Sequence, residues 1–174
     1  TISIHAVDYA TGRLKYLDSV PAGLRPMKLA ITPSQQYLYA ISQGRTNPNS
    51  GALEGHAIHQ FQIGSNGRLS ALAPISLSAY GSPGSVQVDP AGRFVYVSVT
   101  GGRLQYAIGA GGALQALDPA LVAMPTPEYL RIDPSGRFAY VTDYSAGSTS
   151  IQQFTVGADG RLTPMTPATA TAGT

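Results

Sequence analysis

One phrase, strand–turn–strand, recurs three times in this chain and constrains the fold more than any other feature. It is clearest at 126–143, TPEYLRIDPSGRFAYVTD, and returns as SPGSVQVDPAGRFVYVSV from Ser82 and as RPMKLAITPSQQYLYAIS from Arg25. In the clearest copy Leu130 and Ile132 alternate with Tyr129 and Arg131, a turn follows at Asp133-Pro134-Ser135-Gly136, and Phe138-Ala139-Tyr140-Val141 opens a second strand. Proline pre-sets φ at the second turn position, aspartate bonds back to the backbone, and glycine accepts positive φ at the exit.

A second phrase sits between copies of the first: AVDYATGRLKYL (6–17), QIGSNGRLSAL (62–72), AIGAGGALQAL (107–117) and TVGADGRLTPM (155–165). Each reads as a strand end, a glycine turn and an outgoing strand, which makes a hairpin. Its glycines fall at Gly12, Gly67, Gly112 and Gly160, and the turn prolines at Pro33, Pro90 and Pro134. Spacings in the forties and fifties with about four strands each predict β-propeller blades. The fold class expected is all-β, a β-propeller of four-stranded antiparallel blades, with about three and a half blades in a partial ring.

The predicted order is an incomplete blade, strands c and d, over residues 1–24, then full blades over 25–78, 79–122 and 123–174. Strands a are predicted at Lys28–Thr32, Ser85–Val88 and Tyr129–Ile132. Strands d are predicted near Leu69–Ser76, Leu114–Leu121 and Leu162–Thr166, the last as a fraying edge. The lengthened first repeat is assigned to a polar loop, Gln43–His56, read as a surface insertion or a lid. Propellers hide their edges by closing a ring. The expectation is therefore a piece of a longer propeller, then arcs that assemble on one another, and last an open arc.

Composition removes several classes. Only 11% of residues are charged and the net charge is +2 without a basic cluster, so no nucleic-acid footprint exists. No apolar run is long enough for a membrane span. Cysteine is absent, excluding disulfide and thiolate chemistry. The sparse charge and Ser/Thr/Gln/Gly-rich surface point to an exported protein.

The stereotyped turns join a to b and c to d, so the variable polar connections share the opposite face, where a site is expected. Alternation in strands a sets Lys28 and Ala30, Ser85 and Gln87, and Tyr129 and Arg131 on one side, expected to face the channel. Leu29, Ile31, Val86, Val88, Leu130 and Ile132 are expected to pack inside. Arg131 is the prime candidate, read either as a clamp for an anion or carbonyl, or as a solvated wall residue. Glu128 and His56 are candidate acid–base groups, and Arg45, Gln87, Tyr129 and Asp143 candidate substrate contacts. Glu54 and Arg25 lie on the same face. His56 and His59, three apart on a strand, point to opposite faces, so no metal site is expected. Tyr39, Tyr96 and Tyr140 recur at one register of strand b and are read as packing between blades.

The pattern P-x-x-[apolar]-x-[apolar]-[DT]-P-x-G-R-F-x-Y-V, followed by I-x-x-[FY]-x-[apolar]-x-x-x-G-R-L, resembles the lactonase-type seven-bladed β-propellers. These include 6-phosphogluconolactonases and carboxymuconate cyclases, with YVTN-repeat proteins nearby. The resemblance covers nearly the whole chain, about half of a full member. It implies lactone hydrolysis or formation in a central cleft by His, Glu and Arg, with no cofactor. Typical members carry Asn-Arg-x-x-x-[DN]-[ST]-I between strands b and c; here Ser148-Thr149-Ser150-Ile151 retains its ending. The alternative is a non-catalytic module that binds a protein or self-associates through its open blade edges.

Overall fold

The computed structural model describes residues 1–124, 129–142 and 150–171. The turns predicted from the repeats build it. Asp89 Oδ1 accepts the amide hydrogens of Arg93 (2.5 Å) and Phe94 (2.8 Å), and Asp133 Oδ1 those of Arg137 (3.0 Å) and Phe138 (2.9 Å). Ser135 and the Phe138 amide hold the Asp133 carboxyl below the usual carboxylate range. Gly136 and Gly92 both take φ +70°, and in the first copy Gln35 carries the positive φ at 56° instead.

Among the described residues fifteen strands follow, all antiparallel, in four sheets. The two-stranded half-sheet pairs β1 (Ile2–Val7) with β2 (Leu14–Val20). The first full sheet is β3 (Pro26–Ile31), β4 (Tyr37–Thr46), β5 (Leu53–Ile63) and an outer strand split into β6 (Leu69–Ala71) and β7 (Ile75–Ser76). The second is β8 (Val86–Val88), β9 (Phe94–Val99), β10 (Gly102–Ile108) and β11 (Leu114–Ala123). The third is β12 (Tyr129–Ile132), β13 (Phe138–Thr142), β14 (Ser150–Val156) and β15 (Leu162–Thr171). Each full sheet runs a-b-c-d from its first strand outward, the blade order predicted.

Two details differ from expectation. Residues 43–56 are not a loose loop: β4 and β5 continue in register to Thr46 and Leu53, so the insertion is a longer hairpin. The last strand runs on to Thr171, past the short edge predicted.

Apolar side chains fill the junctions between sheets. Tyr39, Ile41 and Ile58 meet Val95, Val97, Leu104, Tyr106 and Leu114 between the first and second sheets. On the other face of the second sheet, Phe94 and Tyr96 meet Leu130, Ala139, Val141, Phe154 and Leu162 of the third. Burial pushes the Tyr106 phenol up to about 12 and raises Tyr39 and Tyr96 as well. Among the described residues, no helix is long and apolar enough to cross a membrane.

Candidate functional site

The registers show where strand a side chains point. Residues directly opposite in an antiparallel pair share a face. Ala30, Tyr39 and Gln60 form one row across the first sheet, and Gln87, Tyr96 and Gln105 the same row across the second. Arg131, Tyr140 and Gln153 repeat it in the third. Tyr39 and Tyr96 are buried at the junction with the following sheet, so their rows face that sheet. The residues expected to line the channel are therefore aimed at the next blade near its inner edge.

This corrects the expectation for the apolar partners too. Leu29 and Ile31 are 52% and 46% exposed, because the half-sheet on that side has no strands a and b to cover them. Leu130, by contrast, is 3% exposed against the second sheet. A shallow cleft of about 270 Å³ between Thr1–Ser3 and Pro26–Leu29 marks the same uncovered flank. Lys28 is its one charged lining residue, so it offers no acid–base pair.

The remaining candidates do not converge on one place. Arg131 and Tyr129 lie exposed on the outward face of the third sheet, with Gln87 half-buried between the second and third. Arg45 is at the projecting hairpin, where its Nε donates to Glu54 at 3.0 Å and Asn47 donates to the same carboxylate at 2.7 Å. Those two bonds hold the exposed Glu54 carboxyl below its usual range. His56 is buried, and its Nδ1 lies 3.2 Å from the Gly81 carbonyl, which the ring's N–H can reach. Glu128 and Asp143 fall outside the described residues. Among the described residues no group of His, Cys, Asp or Glu could hold a metal ion.

His56 does structural work that its neighbours share. It fixes the connection from 77 to 85, which Thr100 Oγ1 also holds by accepting from the Ser82 amide at 3.2 Å. Ser98 Oγ accepts the Ser85 amide at 2.6 Å and lies 2.9 Å from Ser85 Oγ. The loop-bearing side of the second sheet is thus a rigid polar wall. His59 pairs with Ser42, Nε2 to Oγ at 3.0 Å, while Ser42 donates to the Gly55 carbonyl at 2.6 Å.

The residue that sequence reading missed is Arg103. It lies opposite Ser98 and is fully buried. Its face is that of Gln105, so it points into the junction between the second and third sheets. Desolvation pushes its guanidinium down to about 10. The signal was present in the repeats: two residues before the recurring Gln60, Gln105 and Gln153 stand Ile58, Arg103 and Ile151. One blade has put a cation where the others put an aliphatic side chain. A buried arginine is costly unless it holds a partner or an anion.

Fold and repeat register together define a partial β-propeller of lactonase type. The model of the lactonase, 7-bladed beta-propeller family matches residues 46–174, and the chain belongs to that family. Among curated proteins none matches. Solved structures that resemble it include a candidate 6-phosphogluconolactonase from Bacteroides fragilis, at TM-score 0.74 and 22% identity, covering 99% of this chain and 50% of that one. A protein from Lactobacillus plantarum aligns at TM-score 0.72 and 19% identity, over 92% of this chain and 47% of the other. The periplasmic gluconolactonase of Pseudomonas aeruginosa aligns at TM-score 0.55 and 21% identity, over 92% and 61%. The chain spans about half the length of the first two relatives.

Proposed function

We propose that this half-propeller contributes one wall of a site that hydrolyses a sugar or carboxylated lactone at the loop-bearing end of the channel. The observation that carries the reading is the rigid Ser85–Ser98 polar wall on the loop-bearing side of the second sheet, in a chain of the lactonase family. Lactone hydrolysis needs positive charge where the carbonyl oxygen becomes an oxyanion. It also needs a base to take a proton from the attacking water and an acid to return one to the ring oxygen as the C–O bond breaks. Arg131 supplies the charge in this reading, Tyr129 on the same face orients the ring, Glu128 is the base, and Gln87 contacts the substrate from the neighbouring junction. Asp143 and Arg45 contact the substrate from the connections. His56 was a candidate for the acid–base role; its buried bond to Gly81 supports a positioning role instead.

The test is proton release from an aldonic δ-lactone and its 6-phosphate, with melting measured in parallel. Arg131→Ala should lower turnover at least 100-fold while the fold melts normally. Wild-type turnover no faster than buffer would sink the enzymatic reading. A second reading, a module that binds protein, is favoured by one observation: the half-sheet and the third sheet both expose apolar and aromatic side chains, among them Leu14, Tyr16 and Tyr140.

A further inference from the structure

The two junctions between full sheets share one set of buried contacts. Tyr39 Oη donates to the carbonyl of Gly112 at 2.8 Å, and Tyr96 Oη to that of Gly160 at 2.7 Å. Gln60 Oε1 accepts the Leu114 amide at 2.7 Å, and Gln105 Oε1 the Leu162 amide at 2.7 Å. Each sheet is thus joined to the next through a Gly-x-Leu turn, 112–114 in the second sheet and 160–162 in the third. The middle residue of that turn is what differs. It is Arg68 in the first sheet, Ala113 in the second and Arg161 in the third.

Both arginines reach back across a junction to the same repeat position. Arg68 Nη1 pairs with the Asp18 carboxylate on β2, and Arg161 Nε donates to the Asp118 carbonyl on β11 at 2.6 Å. Asp18 and Asp118 each stand four residues beyond the leucine that opens their outer strand, Leu14 and Leu114. In the first sheet that position is Ala73, and the next sheet's turn carries Ala113 in place of arginine. The glutamines account for the exchange. Gln60 Nε2 donates to the Ala73 carbonyl at 2.5 Å, so that acceptor is already engaged. Gln105 Nε2 donates one residue further on, to Pro119 at 3.0 Å, which leaves the Asp118 carbonyl for Arg161. In the half-sheet Ile4 stands at the glutamine position and competes for no acceptor.

We propose that the turn arginine and the residue four past the leucine form a clasp on the outer rim, closing a junction wherever the glutamine leaves that acceptor open. The clasp is an ion pair where the acceptor is the Asp18 carboxylate, and a charge-assisted hydrogen bond where it is the Asp118 carbonyl. Arg161 is aimed by its own turn, since Nη1 also bonds Asp159 Oδ2 at 2.6 Å. Arg68 has no such carboxylate in its turn: Asn66 stands there, and its Oδ1 accepts the Arg68 amide at 3.0 Å. Both members of the Arg68–Asp18 pair are partly exposed, so dissolved ions screen it. Salt therefore loosens the rim between the half-sheet and the first sheet and largely spares the rim between the second and third. The junction between those two has no clasp and relies on the buried Gln60 contact.

A double-mutant cycle tests the clasp, with the folding equilibrium constant read from urea unfolding of the chain. Arg68→Ala and Asp18→Asn should each lower the constant about twofold to fivefold in dilute buffer, and the double variant no further. At about 1 M salt that coupling should vanish. Arg68→Asp combined with Asp18→Arg should recover most of the loss. Arg161→Ala should lower the constant about twofold to fivefold as well, with at least half of the effect surviving at about 1 M salt. Asp159→Asn leaves the bond to Asp118 in place and should cost less. Ala113→Arg should change nothing, because Gln60 holds the Ala73 carbonyl. Additive losses at Arg68 and Asp18, or a coupling equal in low and high salt, would overturn the proposal. So would a gain from Ala113→Arg as large as the loss from Arg161→Ala, since the acceptor would then be open without a clasp having formed.

Discussion

The junction between the second and third sheets and the outward face of the third carry nearly the same side chains in opposite circumstances. Phe94, Tyr96 and Gln105 are buried against a Gly-x-Leu turn; Phe138, Tyr140 and Gln153 meet no turn among the described residues. Identical local sequence thus yields a core in one place and a surface in the other. The difference teaches that a repeat encodes half of an interface, and that stability depends on whether the other half arrives. Local turn chemistry is the same at both, since Asp89 and Asp133 bond their amides alike.

Glycine substitutions should separate the two environments most sharply. Gly160 has φ +82° and packs on the Phe94 ring, whereas Gly136 has φ +70° and open space around it. Gly160→Val combines backbone strain with a steric collision and should cost about 4 kcal/mol or more. Gly136→Val carries strain alone and should cost ~1–3 kcal/mol. Urea unfolding midpoints measured side by side check this. Equal losses would mean that the ring contact at Gly160 relaxes without cost.

A smaller contrast comes from the tyrosines. Tyr96→Phe leaves the buried Gly160 carbonyl without its donor and should cost about 1–2 kcal/mol. Tyr140→Phe, studied in dilute monomer, should change unfolding by less than about 0.5 kcal/mol. A large loss at Tyr140 in the monomer would show that its hydroxyl already has a role within the third sheet.

The architecture was legible because turns and strand alternation are local. The prolines at 33, 90 and 134 and the glycines at 12, 67, 112 and 160 locate every full blade, and the strands observed start within two residues of those predicted for strands a. What a strand's side chain faces is not local. Whether Arg131 points at a channel or at a neighbouring sheet depends on the cross-strand register, which sets Arg131, Tyr140 and Gln153 in one row. The segment 43–56 looked like a loop because Gly, Asn and Pro are abundant, yet glycines at 44 and 55 serve a close approach between the two strands of a hairpin. Gly44 lies against the Glu54 carbonyl and the His56 ring, where no side chain fits. Arg103 escaped notice for a different reason: only the comparison of three equivalent positions reveals the exchange of isoleucine for arginine.

The smallest expected effect concerns the first junction, where the half-sheet meets the first full sheet. Burial near Gly23 and Ser42 disfavours protonated His59 and lowers its pKa from the usual imidazole value. The unfolded chain then binds more protons than the folded one in the window below about 6.5, so stability rises with pH there. The contribution is fully present above the unfolded value and is lost as pH falls through the lowered folded value. His59→Gln should flatten the dependence of the unfolding midpoint between about pH 5 and 7 while leaving its value near neutrality within about 1 kcal/mol. An unchanged slope would place the pH dependence on other groups. It would also mean that this junction, unlike the two beyond it, gains nothing from a buried polar contact, in keeping with its having Ile4 where the full sheets place glutamine.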